Sequence, residues 1–230
     1  MRMRGEANGE YALRNGANAS ATTPSIGSRS MVKRAMDVII AGSALIFLSP
    51  MMLIVALIIK LTDGGPALFK QKRIGLNGDE FTCLKFRSMV MNANEELERL
   101  LSSDADAAAE WAKDQKLRND PRITAIGSFL RKTSLDELPQ LLNVLQGTMS
   151  IVGPRPIVRG EVEKYGAFIT DYASVRPGLT GLWQISGRND TTYDERVSLD
   201  VEYARNWAIE KDVKIFLFTI PAVLFSKGAY

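Results

Sequence analysis

The run from Val38 to Leu61, 24 residues with no charge except Lys60 near its end, constrains this chain more than any other feature. A straight α-helix of that length would measure about 36 Å, against about 30 Å for the hydrocarbon core of a bilayer. Ser49-Pro50 falls at its midpoint. Proline removes a backbone donor and crowds the preceding turn, so a kink or break is expected there. The arms on either side, Val38 to Leu48 and Met51 to Leu61, would each measure about 16 Å, roughly one leaflet. Lys33 and Arg34 precede the run and Lys60, Lys70, Lys72 and Arg73 accompany its far end. The positive-inside rule therefore finds no asymmetry, and both ends are allowed on one face. The residues leave two topologies open: a proline-kinked helix that spans, or a re-entrant helix-break-helix turning at Ser49 and Pro50.

With 46% hydrophobic and 24% charged residues, the 230-residue chain can bury one sizeable core beside this segment. Residues 1–30 are rich in Gly, Ala, Asn, Ser and Thr without apolar periodicity, and read as a disordered tail lacking a cleavable signal. The division expected is tail 1–30, membrane segment 31–64 and a soluble domain 65–230. The net charge of +3 comes without long Lys/Arg runs, which argues against nucleic acid as a partner. A single cysteine, Cys83, excludes an internal disulfide and reads as a packing residue.

After Gly64-Gly65-Pro66, residues 67–86 read as a short β-hairpin around Gly75-Leu76-Asn77-Gly78. One helix is expected over Asn92 to Lys116 and others over Val197 to Ala208 and Val213 to Phe225, the last broken near Pro221. Its face of Phe216, Phe218 and Phe225 suits either a core or a membrane interface. The fold class is α/β, mainly helical with a short hairpin.

The chain has no histidine. Ser-His-Asp, Cys-His and His-ligated zinc chemistries are therefore excluded, and carboxylate or metal chemistry remains. Asp136 and Glu137 are adjacent, and Leu138, Leu141, Leu142 and Leu145 follow at helical spacing up to Gly147. If Asp136 caps this helix, Pro139 occupies its first turn, where the missing N–H costs nothing; a Ser134–Glu137 capping box would put Pro139 deeper. In either register the positive helix end, with Arg131 and Lys132, should keep both carboxylates ionised, as a nucleophile or Mg²⁺ ligand requires. A well-capped structural helix explains the pair equally well when it is considered alone. Arg155 and Arg176 each precede a proline, which holds the backbone extended and presents the guanidinium on a stiff loop. Lys85, Arg87, Arg131, Arg155, Arg176 and Arg188 together could bind several phosphates.

The runs Lys33-Arg-Ala-Met-Asp37, Lys85-Phe-Arg-Ser-Met89, Leu130-Arg-Lys-Thr-Ser-Leu-Asp-Glu-Leu-Pro-Gln-Leu-Leu-Asn143, Met149-Ser-Ile-Val-Gly-Pro-Arg-Pro156 and Val175-Arg-Pro-Gly-Leu-Thr-Gly-Leu-Trp-Gln-Ile-Ser-Gly-Arg188 occur in this order. With the Ser49-Pro50 break, they resemble the monotopic phosphoglycosyl transferases, the bacterial sugar transferase family. Asn206-Trp207 and the Ile220-Pro221-Ala-Val run look most like the branch that initiates rhizobial exopolysaccharide by galactose-phosphate transfer. The resemblance implies UDP-sugar and undecaprenyl phosphate as substrates, UMP and undecaprenyl-diphosphate-sugar as products, and Mg²⁺ as cofactor. It places Asp136 on the family nucleophile, which forms a phosphosugar-aspartate intermediate, and Glu137 on its metal-associated partner. It also implies a re-entrant membrane helix, interfacial amphipathic helices and a cytoplasmic catalytic domain on the bacterial inner membrane. Galactose is favoured over glucose. A homodimer and downstream glycosyltransferases are compatible partners. Two other readings stay open: a transferase that releases UDP, and a membrane-anchored scaffold of polysaccharide assembly without turnover.

Overall fold

In a computed structural model, residues 30–114, 117–186 and 191–224 are described. The expected tail before Ser30, and Arg188 and Phe225, lie outside them. The elements run α1 Met31–Asp63, β1 Leu68–Ile74, β2 Glu80–Phe86, α2 Ala93–Ser103, α3 Ala105–Asp114, α4 Ala125–Lys132, α5 Gln140–Gln146 and β3 Ser150–Val152. They continue with α6 Val162–Tyr165, α7 Ile169–Ala173, β4 Gly178–Thr180, α8 Leu182–Ile185, α9 Tyr193–Arg205 and α10 Ile209–Leu224. The chain is thus mainly helical with two small sheets, the β1–β2 hairpin and a parallel β3–β4 pair.

The helical assignment of α1 is unbroken through Pro50. The break expected at Ser49-Pro50 is absent as a change of backbone state. Only 11% of the helix's most apolar window is buried, so it is no soluble-core helix, and Ile39, Ile46, Phe47, Leu53 and Leu61 are exposed. A surface of that kind calls for a non-aqueous surrounding.

Two compact units divide α1 between them, Leu48 belonging to one and Ser49 to the other. The first also contains Lys70–Leu84 and the described residues from Pro139 on. Its core gathers Ile74, Ile157, Val162, Tyr165, Ile169, Tyr172, Ala173, Val197 and Val201. Within it, the first turns of α1 are tied down by three polar side chains. Lys33 Nζ donates to Asp212 Oδ2 at 2.6 Å and to the Val152 carbonyl at 2.9 Å. Asp37 Oδ1 accepts from Ser150 Oγ and the Ile151 N–H, both at 2.9 Å. Arg34 donates to the carbonyls of Val144 and Leu145 at the C-terminus of α5, where Gly147 takes the left-handed conformation at φ +83°. Carbonyls that a helix end leaves unsatisfied thus find a cation. At the β3–β4 seam Ser150 pairs with Gly178. A Cβ on Gly178 would lie 2.1 Å from the Gly153 nitrogen, so only glycine permits this approach.

The second unit comprises Ser49–Phe69 and Lys85–Leu138 among the described residues. Val55 and Ile59 of α1 pack with Phe86 and Leu130, flanked by Met52, Ala56, Leu135 and Leu138. The spacing 52, 55, 56, 59 is one helix face. Its opposite face carries the exposed Leu53, Ile54, Leu57 and Leu61.

Several elements differ from expectation. The single helix over Asn92 to Lys116 is two, because Asp104 leaves helical geometry (φ −130°, ψ 107°) and its Oδ1 accepts from the N–H groups of Asp106 and Ala107. That is an N-cap for α3. Helix α9 begins at Tyr193, four residues earlier than expected, behind a Thr192–Glu195 capping box. Helix α10 extends from Ile209 and its assignment runs on through Pro221. It buries Ile215 and exposes Val213, Leu217 and Phe218.

Asp200 of α9 is 1% exposed and accepts a 2.7 Å bond from the Tyr165 hydroxyl. Burial pushes its carboxyl up to about 7, against the opposing pull of the Tyr165 bond and of Arg155 and Arg196. The folded chain therefore holds this proton more tightly than the unfolded chain does, and the stabilisation, complete below about pH 4, is lost as pH rises through about 7. In chemical denaturation, Asp200→Asn should gain stability relative to wild type as pH is raised from 4 to 8. A difference independent of pH would contradict the raised titration.

Candidate active site

The expected helix does not begin at Asp136. Helix α4 ends at Lys132, Ser134 enters the left-handed region (φ 57°, ψ 15°), and Leu135–Glu137 form a single 3₁₀ turn before α5 starts at Gln140. Ser134 makes no capping bond and Pro139 stands at the α5 N-cap with helical φ, so neither capping register considered from sequence is adopted. A positive φ at a non-glycine residue costs of order 1–3 kcal/mol and persists only where its surroundings fix it. Here it turns the chain so that Leu135 and Leu138 pack into the second unit's core. Asp136 and Glu137 lie between those two anchors.

Asp136 is 9% exposed. Burial pushes its carboxyl up to about 6; Lys85 pulls it down, Glu137 pushes it further up and Arg131 pulls it down. The neighbouring cations expected to keep it ionised do favour the charged form, but they do not set the balance. Desolvation outweighs them. Lys132, expected to assist, is exposed.

Lys85 Nζ lies 2.6 Å from Glu137 Oε1, both side chains being about two-thirds or more covered. Arg131 Nε donates to Ser88 Oγ at 2.8 Å, and the guanidinium is coupled to Asp136 and to Asp120. Arg87 faces Asp63, the last residue of α1, through two guanidinium nitrogens, one of them 2.8 Å from Oδ2. It therefore ties the end of α1 to the end of β2. Lys85, Arg131, Asp136 and Glu137 converge; Arg87 is committed to Asp63.

Arg155 and Arg176 belong to the first unit. The Arg155 guanidinium lies 5.6 Å from the Trp183 ring centroid, and that of Arg196 lies 5.0 Å from the same ring. Arg176 Nε donates to the Gly147 carbonyl at 2.8 Å. Sequence reasoning passed over Arg196, Ser88 and the buried Asp120–Arg122 pair, closed at 2.6 Å beneath Trp111. The last had a local signal, opposite charges flanking Pro121, and Ser88 stood within the Lys85–Met89 run.

Among the described residues no group of three or more His, Cys, Asp and Glu side chains is placed to hold a metal ion. Two adjacent carboxylates nevertheless suit Mg²⁺, which keeps water and substrate phosphates as its other ligands. The donor chemistry fits that ion.

A model of the bacterial sugar transferase family matches residues 28–226. The chain belongs to this family. The exopolysaccharide production protein ExoY of Rhizobium meliloti is 50% identical over 200 residues, 87% of this chain and 88% of that protein. The undecaprenyl-phosphate galactose phosphotransferase of Salmonella typhimurium is 53% identical over 204 residues, but only 42% of its length is covered. The UDP-glucose:undecaprenyl-phosphate glucose-1-phosphate transferase of Escherichia coli K12 is 40% identical over 216 residues, 43% of its length. This sugar transferase chain thus spans most of one relative and less than half of the other two.

Helix α4 carries Arg131 toward Asp136, and Gly127 on its buried side is where the helix meets residue 88. A Cβ there would lie 2.0 Å from the Ser88 carbonyl oxygen. Alanine would gain about 1 kcal/mol in helix propensity, yet a backbone clash of that size costs about 1–3 kcal/mol. Gly127→Ala should therefore lower the denaturation midpoint; an unchanged or raised midpoint would show that α4 shifts freely.

Proposed function

We propose that the chain transfers hexose 1-phosphate from a UDP-sugar to undecaprenyl phosphate at the cytoplasmic face of the bacterial inner membrane, as the first membrane step of exopolysaccharide synthesis. The observation that carries this reading is Asp136, a buried carboxylate pushed up to about 6, beside Glu137 and coupled to Lys85 and Arg131. Such a group can still ionise at neutral pH, yet is more basic than a surface aspartate, which suits a carboxylate nucleophile.

In the first half-reaction an Asp136 oxygen attacks the β-phosphorus of the UDP-sugar. The bond to the bridging oxygen breaks, UMP leaves with that oxygen's electron pair, and an aspartyl-phosphosugar remains. An oxygen of undecaprenyl phosphate then attacks the same phosphorus, expels the Asp136 carboxylate and yields undecaprenyl-diphosphate-sugar. One phosphoanhydride replaces another, so the protein's task is positioning and charge stabilisation. Lys85 and Arg131 face the reacting phosphoryl group. Arg155, Arg176 and Arg188 remain candidate phosphate ligands by residue type, Arg155 and Arg176 on proline-stiffened loops. Mg²⁺ would be held by Asp136 and Glu137 and would there neutralise diphosphate charge.

Galactose is favoured over glucose by the galactose phosphotransferase relative at 53% identity against 40% for the glucose enzyme. We also assign α1 a re-entrant course: basic residues stand at both ends, and Pro50 at its midpoint allows a bend without loss of helical state. With cysteines placed at Ser30 and Gly64, an impermeant thiol reagent should label both from one face of sealed vesicles. Labelling from opposite faces would instead establish a spanning helix.

Incubation with a panel of UDP-sugars and polyprenyl phosphate should release UMP, most rapidly from UDP-galactose. Release of UDP would favour simple glycosyl transfer, and failure of labelled sugar phosphate to reach lipid would favour a scaffold. Asp136→Asn should lower UMP release by about three orders of magnitude while leaving the protein in the membrane fraction. Retention of a tenth of the wild-type rate would remove Asp136 as nucleophile.

A further inference from the structure

Ser88 grips α4 at three points along its length. Its backbone carbonyl accepts from the N–H of Thr124, the α4 N-cap, at 3.1 Å. Its backbone fills the space that a side chain at position 127 would need, one turn further on. Its hydroxyl accepts from Arg131 Nε at 2.8 Å in the last turn. Ser88 is itself 9% exposed, and the segment is locked beside α4 by an antiparallel bridge between Met89 and Ile123 and by the Val90 N–H bonding the Arg122 carbonyl at 2.9 Å. Helix α4 therefore cannot slide or turn without breaking one of the three contacts. A guanidinium is a planar fork, so fixing Nε fixes the direction in which both terminal nitrogens point.

We propose that Ser88 is a positioning residue for transfer: through its hydroxyl it aims the Arg131 fork at the reacting phosphoryl group beside Asp136. The assignment rests on the function proposed above. Neighbouring charges alone would not hold the fork in one direction, because Arg131 is attracted both by Asp136 and by Asp120 and repelled by Arg122. The Ser88 hydroxyl is the neutral group that selects among these.

Three measurements on the full-length membrane-bound protein test it. Ser88→Ala should lower kcat for UMP release by about 10- to 100-fold, a charge-assisted bond's worth, with KM for UDP-sugar within about threefold and the thermal midpoint little changed. The same substitution in an Arg131→Gln background should cost no more than about twofold, whereas independent effects would multiply. The ¹⁵Nε–H resonance of Arg131, identified by its loss in Arg131→Lys, should exchange slowly with solvent in wild type and rapidly in Ser88→Ala. If Ser88→Ala does not fold, Ser88→Cys, close in shape and a poor acceptor, provides the same readouts. A full effect of Ser88→Ala without Arg131, or an Arg131 resonance indifferent to the substitution, would overturn the proposal. The resonance needs no turnover, so a wild-type protein that releases no UMP but shows the shift would sink the proposed function while leaving the Ser88–Arg131 contact intact.

Discussion

Burial of the Asp136 carboxylate is the constraint on which the rest of the candidate site turns. An isolated buried charge would either destabilise the fold or take up a proton. Here Lys85 and Arg131 offset part of the desolvation, while Glu137 adds repulsion of the opposite effect. The balance leaves a carboxyl able to ionise at neutral pH without becoming a weak base. Producing it requires an unusual backbone: a left-handed Ser134, a single 3₁₀ turn and a proline at the following helix cap. Leu135 and Leu138, half-buried on either side, hold that turn in place.

Helix α1 is held in each unit by its own set of contacts. In the first unit, the polar trio Lys33, Arg34 and Asp37 bonds to α5, β3 and α10. Basic residues that look like headgroup anchors are thereby engaged inside the protein. In the second unit, the face of Met52, Val55, Ala56 and Ile59 packs by hydrophobic contact, and Asp63 closes the helix against Arg87. On the function proposed above, Lys85 and Arg131 thus stand on elements packed against the half of α1 that runs from Ser49 to Asp63.

The sequence disclosed what depends on local pattern. The hairpin around Gly75 to Gly78, the Gly147 stop and the apolar character of Val38 to Leu61 were readable because each rests on a few adjacent residues. The Asp136–Glu137 pair and the Lys85 and Arg131 cations could be picked out by type, and the structure does bring them together. Their environment could not be read, since the burial that raises Asp136 comes from residues brought in by tertiary packing. The parallel β3–β4 pair escaped notice because three-residue strands carry no periodicity. Asp104 was legible as a cap in principle, but the Glu-, Ala- and Leu-rich run around it outweighed one aspartate. Ser88 was legible only as a member of the Lys85–Met89 run; its role acquires meaning only when α4 lies against it.

The most direct test is the covalent state of Asp136. Incubation of detergent-solubilised protein with UDP-sugar, with polyprenyl phosphate omitted, should release about one UMP per enzyme molecule in a burst. Acid quench and peptide mass spectrometry should then find one hexose-phosphate on the peptide containing Asp136, removed on addition of the lipid acceptor. Product formation with acceptor present, but without a burst or an adduct on that peptide, would contradict the account.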